Sequence, residues 1–496
     1  MLSDLLSTIA SFEKRGDIQG GIEFLFSKKL PLNDLNFIAK ILISEQRYLF
    51  AFALADRLIS SGWDTITLRL TRGIVANIAG RKDQYENDRT YLEAQPPLSN
   101  EERESLWTPD WLLGPLNHMF QLGNNDSVFQ IGALLKSVEP RLNPIYESKR
   151  LLEWEAASNT LPYIAKTIFE AKPVPRRNVI VACRERFFPS IKNSRYHEIG
   201  PRLVSGLIKG GWNATFFPLS FSQAEKDLIK DYRRLEEYSD EVEAELIIID
   251  QPRLLQTEGH VLFQNRPRNR SRKLIGLYLD PWAKEHWPEM RAINQFLDLT
   301  WSAFAAAPIW DEPIFATKKF FSPLPYGIKT AKSDTEVATI QFTGGVGFYN
   351  WQRALWLSAM KSHGLPIDIH LSNHLDDGLS AIKSSNQYFL RLKKSGAAIN
   401  FSMRSNFSRT QTGRTFEIIA SGALLIQEES KDVNLYFIPG KHFFPFRSLG
   451  DLKEICLILR TKPEMAKKVR NAGLSFYNKH YSDTRIVSLL DQTLFK

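Results

Sequence analysis

Residues 397–426 read AAINFSMRSNFSRTQTGRTFEIIASGALLI, and this stretch decides the fold of the last third of the chain. Residues 397–401 and 423–426 are short apolar runs, which is typical of buried strands. Residues 412–421 carry helical apolar spacing and stop before Gly422, a residue type favoured just after a helix end. Strand, helix and strand in this order predict a parallel βαβ unit.

The same alternation extends upstream and predicts a domain over residues 329–496. Strands are expected at 337–342 and 367–371, and helices at 349–360 and 385–395. Further helical patterns at 452–459, 463–473 and 477–494 suggest final helices that cross back toward the preceding domain.

A second alternating region, residues 173–328, predicts another Rossmann-like domain. Its expected strands are 178–183, 213–217, 246–250 and 273–280, and its expected helices are 199–208 and 223–244. A proline-rich hinge at 321–327 separates the two regions. Because ligands bind beyond the carboxyl ends of parallel strands, two such sheets predict a substrate cleft between them.

The first 172 residues predict helix after helix. Polar turns near residues 15–17, 45–47 and 80–83 are spaced by about 30 to 34 residues, a period of helical-hairpin repeats. The tetratricopeptide landmarks Trp and Pro are missing, so a plain helical bundle is an equal alternative. Such a segment would serve docking to a protein partner or dimerisation. The prolines at 172–177 end it.

Composition favours a soluble globular protein of about three domains, with 496 residues, 43% hydrophobic and 24% charged. Two cysteines, Cys183 and Cys456, make no disulfide framework. No signal peptide or membrane span is recognisable, so a cytoplasmic location with at most peripheral membrane contact is expected. The net charge of +9 favours an anionic partner. The basic run 265–273 lacks stacking aromatics, so nucleic acid is not expected.

Standard phosphate-binding motifs are absent from the sequence, since neither G-x-G-x-x-G nor G-x-x-x-x-G-K-[ST] occurs. Residues 342–347 read FTGGVG directly after a predicted strand. Gly344 and Gly345 would let the backbone approach a phosphate group, and a turn that needs positive φ explains them equally well.

Glu417 has no local partner in the sequence, because a capping box would need Ser or Thr where Arg414 stands. A carboxylate and a guanidinium at a helix start suit a ligand with both hydroxyls and phosphates. The carboxylate would accept hydrogen bonds from vicinal hydroxyls, and the arginine would hold phosphate oxygens.

Residues 414–426 resemble the R-x-x-E-x-x-A-x-G signature of GT-B glycosyltransferases, in particular the CgeB-like group. The resemblance extends over 337–496, is loose over 176–328 and is absent from the N-terminal helices. It implies a nucleotide-sugar donor whose ribose is held by Glu417. Thr415 and His442 are further candidates for contacts with the donor, since both lie in the stretch that resembles the family, and Arg404, Arg409 or Arg414 would neutralise the diphosphate. Many retaining members carry a second Glu where this chain has Arg409.

Candidates on the first Rossmann-like domain follow its strands. The loop 184–198 is basic and aromatic, and it offers His197 as an acid or base and Arg195 and Tyr196 as acceptor contacts. Asp280 follows a predicted strand and is a second catalytic candidate. Each also has a structural alternative, since a lone histidine is often a hydrogen-bonding core residue and Asp is a common helix cap.

No D-x-D motif or clustered metal ligands occur, so a metal-independent enzyme without a resident cofactor is expected. The sequence thus predicts a GT-B glycosyltransferase that moves a sugar to a glycan, lipid-linked or protein acceptor. Lipopolysaccharide, capsule and protein acceptors stay open. The alternatives are a non-catalytic helical scaffold that carries a degenerate GT-B module and, less favoured, a nucleotide-sugar epimerase.

Overall fold

A computed structural model gives the fold of the chain. It describes residues 2–96, 98–99, 109–153, 162–166, 173–184, 186–187, 195–196, 199–220, 225–252, 272–328, 337, 339–346, 350–371, 388–404 and 407–495.

The N-terminal region is helical, as predicted. Its α-helices α1–α9 are Leu2–Lys14, Ile18–Ser27, Leu32–Ser44, Tyr48–Ser60, Ile66–Ile78, Lys82–Glu93, Pro109–Gln121, Asn125–Lys136 and Asn143–Tyr146. Side-chain caps start several of them: Asp17 accepts a hydrogen bond from the amide of Gly20 (2.9 Å), and Asn124 accepts one from Ser127 (3.1 Å). The polar turns lie close to the predicted positions and join successive helices into hairpins. A tetratricopeptide-like repeat stays a prediction.

The first sheet is parallel and has the strand order β4-β1-β5-β6-β7-β8. Its strands are β1 Asn178–Arg184, β4 Asn213–Leu219, β5 Leu246–Asp250, β6 Lys273–Leu277, β7 Leu299–Ser302 and β8 Lys319–Phe321, and a separate antiparallel pair consists of β2 Arg186–Phe187 and β3 Arg195–Tyr196. The accompanying helices are α11 Gly200–Lys209, α12 Glu225–Glu241 and α13 Trp287–Asn294; the short helix α10 Tyr163–Lys166 precedes β1 in the chain, and its Ile164 belongs to the core around residues 416–437. The order of the strands reverses at β1, which makes the sheet doubly wound.

Sequence reasoning missed β7 and β8 of this sheet. In β7 the polar residues Thr300 and Ser302 are buried, so the strand does not look like an apolar run. The structure satisfies both hydroxyls, because Thr300 donates to Asn294 Oδ1 (2.7 Å) and Ser302 donates to the carbonyl of Tyr278 (2.9 Å).

The second sheet is also parallel, with the strand order β10-β9-β11-β12-β13. Its strands are β9 Ile340–Gly344, β10 Ile367–Leu371, β11 Ala397–Asn400, β12 Leu424–Glu428 and β13 Phe444–Phe446. The helices are α14 Gln352–Ser362, α15 Gly413–Ala420, α16 Lys431–Tyr436, α17 Leu449–Thr461, α18 Pro463–His480 and α19 Asp483–Leu494, and residues 388–395 are helical too. Strand β13 was not predicted because it contains Pro445, which is tolerated here since β13 is an edge strand.

Helix α19 leaves the second sheet and packs on the first. Its Asp483 forms an ion pair with Lys209 of α11 (3.0 Å), and Asp491 pairs with Arg177 just before β1. Apolar contacts accompany these pairs, since Ile486, Val487 and Leu490 belong to the core on this face of the first sheet. The end of the chain therefore ties the two sheets together.

One apolar core joins the helical region to the second sheet. It includes Leu134 of α8, Leu355 and Trp356 of α14, and Phe446 of β13. The contact is close: a Cβ built on Gly132 of α8 would lie 2.6 Å from a methyl carbon of Leu355. The helical region is thus packed on the second half of the molecule as an integral layer.

The described residues include no helix whose length and apolar character would let it cross a membrane.

Candidate functional site

The two sheets meet along the edge where the carboxyl ends of their strands lie. The side chain of Gln411, from the segment before α15, donates a hydrogen bond to the carbonyl of Ala303, just after β7. The amide of Ala306 donates to Asp432 of α16 (2.6 Å). These contacts place the segment before α15, and also α16, against the loop that follows β7. Several predicted site residues lie on both sides of this cleft.

Three arginines from three elements form a cationic cluster on the side of the second sheet. Arg353 lies in the first turn of α14, Arg404 follows β11, and Arg414 lies in the first turn of α15. Burial lowers the pKa of Arg353 well below its ordinary value, and the positive charges of Arg414 and Arg404 lower it further. Burial lowers the pKa of Arg404 too, with Asp280 opposing this and Arg414 adding to it. Such mutual repulsion would be relieved by a bound anion.

The glycine-rich segment after β9 lies directly against this arginine cluster. A Cβ on Gly344 would lie 3.0 Å from the Cζ and Nη2 atoms of Arg414, so a side chain there would displace the guanidinium. Arg353 donates a hydrogen bond to the carbonyl of Gly345 (3.0 Å). Gly344, Gly345 and Arg414, all predicted to bind the donor, are therefore brought together. Gly347, the last residue of the motif, lies outside the described residues.

Arg404 is held in place by polar and aromatic neighbours. It donates to Asn350 Oδ1 (3.2 Å) and to Thr410 Oγ1 (3.2 Å). Its guanidinium carbon lies 5.3 Å from the centre of the Trp282 ring, which belongs to the first half of the molecule. Asp280, two residues earlier in the chain, is close enough to act on the pKa of Arg404. Asp280 therefore faces the arginine cluster across the cleft.

Glu428, at the end of β12, is the buried carboxylate beside the cluster. It accepts hydrogen bonds from the amides of Ser402 (2.7 Å) and Met403 (2.9 Å). Burial raises its pKa, and the charges of Arg409 and Arg353 oppose that rise. Arg409 bridges to Met403 through its backbone, so it lies beside the same loop as Arg404. Glu428 therefore offsets part of the positive charge that Arg353 and Arg409 bring to this region.

Glu417 lies on α15 and is 8% exposed. It accepts a hydrogen bond from Arg202 of α11 (3.2 Å), an ion pair that reaches across from the first half of the molecule. Arg202 also lies over the ring of Phe389, 5.2 Å from its centre. Burial raises the pKa of Tyr388, and the nearby charge of Glu417 contributes to this. The carboxylate is thus oriented into the cleft by a cation.

Thr415 and His442, both predicted to contact the donor, form hydrogen bonds within the protein. Thr415 is fully buried; its hydroxyl donates to Gln427 Oε1 (3.0 Å) and accepts from Asn400 Nδ2 (3.2 Å). His442 accepts a hydrogen bond from the amide of Ile438 (3.1 Å) and stacks on Phe476, with 4.2 Å between ring centres. Burial lowers the pKa of His442 to about 4. Donor contacts by these two residues stay predictions.

The acceptor-side candidates fall largely outside the described residues. Arg195 and Tyr196 form the backbone of β3, paired with β2, and their side chains are not described. His197 itself lies outside the described residues. Asp280 is described and lies three residues beyond the end of β6, since this strand ends at Leu277 and does not extend to Asp280 as predicted. No cluster of three potential metal ligands occurs in the described part of the chain.

Sequence reasoning missed Arg353 and Arg202. Arg353 is the single cation among the buried residues of α14, where it stands beside Ala354, Leu355 and Trp356. A charge in such an apolar stretch is a usable signal, because a buried cation needs a partner. Arg202 gives no comparable signal, because its role arises from the approach of two distant helices.

A comparison with protein families matches residues 352–491 to the family described as glycosyl transferase-like. No curated protein matches the chain. Similar solved structures include Anabaena HepE in complex with UDP and glucose, at 9% identity over 64% of this chain and 99% of that chain, TM-score 0.41. Another is sucrose-phosphate synthase from Thermosynechococcus elongatus, at 10% identity over 64% and 98%, TM-score 0.45. A Rickettsia africae glycosyltransferase matches at 9% identity over 65% and 100%, TM-score 0.39.

Proposed function

We propose that the protein is a glycosyltransferase that takes a sugar from a nucleoside-diphosphate sugar and places it on a glycan, lipid-linked or protein acceptor. The observation that carries this proposal is the cluster of Arg353, Arg404 and Arg414. The charge of Arg414 helps to lower the pKa of both Arg353 and Arg404, and such crowded positive charge favours a multiply charged anion, which a diphosphate provides. The family match over residues 352–491 covers all three arginines and supports the same conclusion.

The neighbouring groups supply the other contacts that such a donor needs. Glu417 is a buried carboxylate near Arg414 on the same helix, and it would accept hydrogen bonds from the ribose hydroxyls once these replace Arg202. Because Gly344 carries no side chain, its backbone lies close to the guanidinium of Arg414, and the two would contact the same phosphate group. The donor would therefore lie along the start of α15, with its diphosphate at the arginines.

The transfer step follows from this placement. The acceptor hydroxyl oxygen forms a bond to the anomeric carbon, and the bond from that carbon to the diphosphate oxygen breaks. The electron pair leaves with the nucleoside diphosphate, whose developing charge the arginines stabilise in place of a metal ion. Asp280 faces Arg404 from the other side of the cleft. We therefore assign it the role of the base that takes the proton from the acceptor hydroxyl. His197 is the other candidate for this role.

A thermal-shift screen tests the proposal. Nucleoside diphosphates and their sugars with uracil, guanine, thymine and adenine bases, and CMP-sugars, are added at 1 mM to the full chain. A ligand present at 100 times its Kd stabilises the protein by about 2.7 kcal/mol. We expect the nucleotides of one base to raise the Tm clearly, and the nucleoside of that base to raise it much less. A screen in which no nucleotide raises the Tm would refute the enzyme and favour the scaffold alternative.

A further inference from the structure

Arg404 of the arginine cluster lies at the start of a tight turn, residues 404–408, which we call the arginine turn. Residues 405 and 406 of this turn lie outside the described residues. The amide of Arg404 donates a hydrogen bond to the carbonyl of Ser408 (2.9 Å), and the amide of Phe407 donates one to the carbonyl of Arg404 (2.8 Å). The position of Arg404 therefore depends on the conformation of the arginine turn.

Phe407 has an unfavourable backbone conformation within this turn. Its φ is +60°, in the left-handed region, where a bulky side chain is rarely found. A residue stays in such a conformation only when its surroundings hold it there. The ring of Phe407 contacts the ring of Trp351 edge-on, with 6.0 Å between centres, and the guanidinium of Arg141, whose carbon lies 3.8 Å from the ring centre. These contacts come from two distant parts of the chain.

The contact with Trp351 connects the arginine turn to the start of α14. Trp351 is 3% exposed and directly precedes this helix. The next residue, Gln352, donates from its side-chain amide to the carbonyl of Arg404 (2.8 Å), and Arg353 follows it. The two elements that carry Arg353 and Arg404 are therefore fixed against each other beside the ring of Phe407.

The contact with Arg141 comes from the helical region. Arg141 lies in the short 3-10 helix Pro140–Leu142, between α8 and α9. The carboxylate of Glu139, which is fully buried, accepts hydrogen bonds from the Nε (2.7 Å), the Nη2 (2.5 Å) and the amide (3.0 Å) of Arg141. Because a buried carboxylate needs such a partner, the pair fixes the orientation of the guanidinium. Arg141 therefore holds a fixed cation over the ring of Phe407.

We propose that Arg141 is a positioning residue of the donor site: by holding the ring of Phe407, it fixes the arginine turn in the conformation that presents Arg404 to a diphosphate. This inference rests on the proposed function and gives the helical region a part in it. Arg141 lies outside residues 352–491, which the family matches. Without Arg141 the strained backbone at Phe407 would relax, so Arg404 would adopt more orientations and bind phosphate oxygens less tightly.

A set of variants of the full chain tests this role. Arg141→Met removes the guanidinium from the ring, and Phe407→Leu removes the ring without changing the charge. The matched control is Arg81→Met, since Arg81 is another exposed arginine of the helical region, with its guanidinium carbon 4.3 Å from the centre of the Phe52 ring. Arg404→Met, alone and combined with Arg141→Met, completes a double-mutant cycle.

Two measurements are made on each protein. Calorimetric titration gives the affinities for the preferred nucleoside diphosphate, for its nucleoside and for inorganic pyrophosphate, at low and at high salt. Hydrogen exchange shows how often the amides of Arg404 and Phe407 open, and so reports directly on the arginine turn.

We expect Arg141→Met and Phe407→Leu each to weaken diphosphate binding by about three- to tenfold, the range that the loss of a cation–π contact allows. The nucleoside affinity should stay unchanged, and the amides of Arg404 and Phe407 should exchange faster. The ratio between wild type and variant should persist at high salt, which screens long-range effects of charge. In the Arg404→Met background, Arg141→Met should weaken binding no further, and Arg81→Met should match the wild type.

An undiminished diphosphate affinity in Arg141→Met, or a loss that Phe407→Leu does not reproduce, would overturn the inference and leave the proposed function standing. An equal loss of nucleoside affinity would do the same, because it would show a general disturbance of the fold. If pyrophosphate binding depends on Arg141 while no nucleoside diphosphate binds more tightly than pyrophosphate, the positioning role stands and the proposed function fails. If neither probe binds the wild type, both fail.

Discussion

Arg353 is the residue whose environment gives the strongest support to the proposed diphosphate site. It is 3% exposed, donates to the carbonyl of Gly345, and is repelled by two other arginines. Without a ligand its charge is a cost to the folded state, and under the proposed function a bound diphosphate would pair with that charge. Stability and binding are therefore expected to respond differently to its removal.

Replacing this residue, Arg353→Met, should lower the affinity for the preferred nucleoside diphosphate by at least tenfold. The reason is the loss of charge-assisted hydrogen bonds, each worth about 1.5 to 3 kcal/mol. The unfolding free energy without ligand should change by less than about 1 kcal/mol, because lost repulsion offsets the lost bond to Gly345. Calorimetric titration and urea unfolding measure the two quantities.

The matched control is Arg460→Met on α17, where the arginine is exposed. It should leave the nucleotide affinity unchanged. A variant at Arg353 that unfolds easily yet binds nucleotide as tightly as the wild type would mean that this arginine only supports the fold.

Glu417 gives a second prediction, through the sugar of the nucleotide. If its carboxylate holds the ribose hydroxyls, the wild type should bind a nucleoside diphosphate about tenfold more tightly than the 2′-deoxy form. Glu417→Ala should weaken the ribose form and remove this discrimination. Titrations of both ligands against both proteins measure it. Equal discrimination in wild type and variant would remove Glu417 from the ribose site.

Sequence patterns single out Arg414, Glu417 and Gly344 as candidates, because all three belong to short motifs beside predicted strand ends. The structure brings Gly344 and Arg414 into contact and sets Asp280 across from Arg404. What could not be predicted depends on distant packing. Thr415 belongs to the motif as well, yet its hydroxyl is used inside the protein by Asn400 and Gln427.

Helix α11 and the connection between the two sheets, residues 321–327, pack so closely at Gly206 that no side chain fits between them. A Cβ built on Gly206 would lie 1.9 Å from the carbonyl oxygen of Pro325. The neighbouring atom belongs to the backbone, which cannot move aside as a side chain could.

Gly206→Ala should therefore lower the unfolding free energy by about 1 to 3 kcal/mol. Urea unfolding measures the change. The control is Gly364→Ser, because a Cβ added at Gly364 would have no atom within 4 Å. The φ of Gly364 is +66°, so this control measures the cost of backbone strain without a steric clash. A fully stable Gly206→Ala would show that α11 and the connection lie farther apart.

The contact between the loop after β7 and α16 predicts a pH dependence. Asp432 accepts a hydrogen bond from Ala306, and burial raises its pKa from 3.8 to about 6. As the pH rises, Asp432 loses its proton at a lower pH in the unfolded chain than in the folded protein. The wild type therefore loses stability between pH 4 and 6. The unfolding free energy of Asp432→Asn relative to wild type should therefore rise by up to about 3 kcal/mol from pH 4 to 7.

Urea unfolding at several pH values measures this difference, which is independent of any constant effect of the substitution. A difference that stays flat from pH 4 to 7 would contradict the burial of an ionised Asp432 at this contact.

For the whole molecule, the shared core between the helical region and the second sheet decides how the chain unfolds. Leu355 of α14 is fully buried where α8 packs on it, so Leu355→Ala should cost about 2 to 5 kcal/mol. Hydrogen exchange should become faster in α8 and in β11 together, because both belong to one core. Faster exchange in β11 with α8 unchanged would show two independent units.

The sequence indicated the helical region and both sheets, because each has a long and regular apolar pattern. It could not show that the helices form a layer on the second sheet, since amphipathic helices predict a buried face but not its partner. Their contact with α14 places this layer behind the helix that carries Arg353.

The most direct test of the central claim is a set of calorimetric titrations with a nucleoside, its monophosphate and its diphosphate. They are carried out on the wild type and on the double variant Arg353→Met with Arg414→Met, at low and high salt. We predict at least tenfold tighter binding of the diphosphate than of the nucleoside, an advantage that salt weakens and the double variant abolishes. Equal affinities for nucleoside and diphosphate in the wild type, or an undiminished advantage in the variant, would contradict a diphosphate site at these arginines.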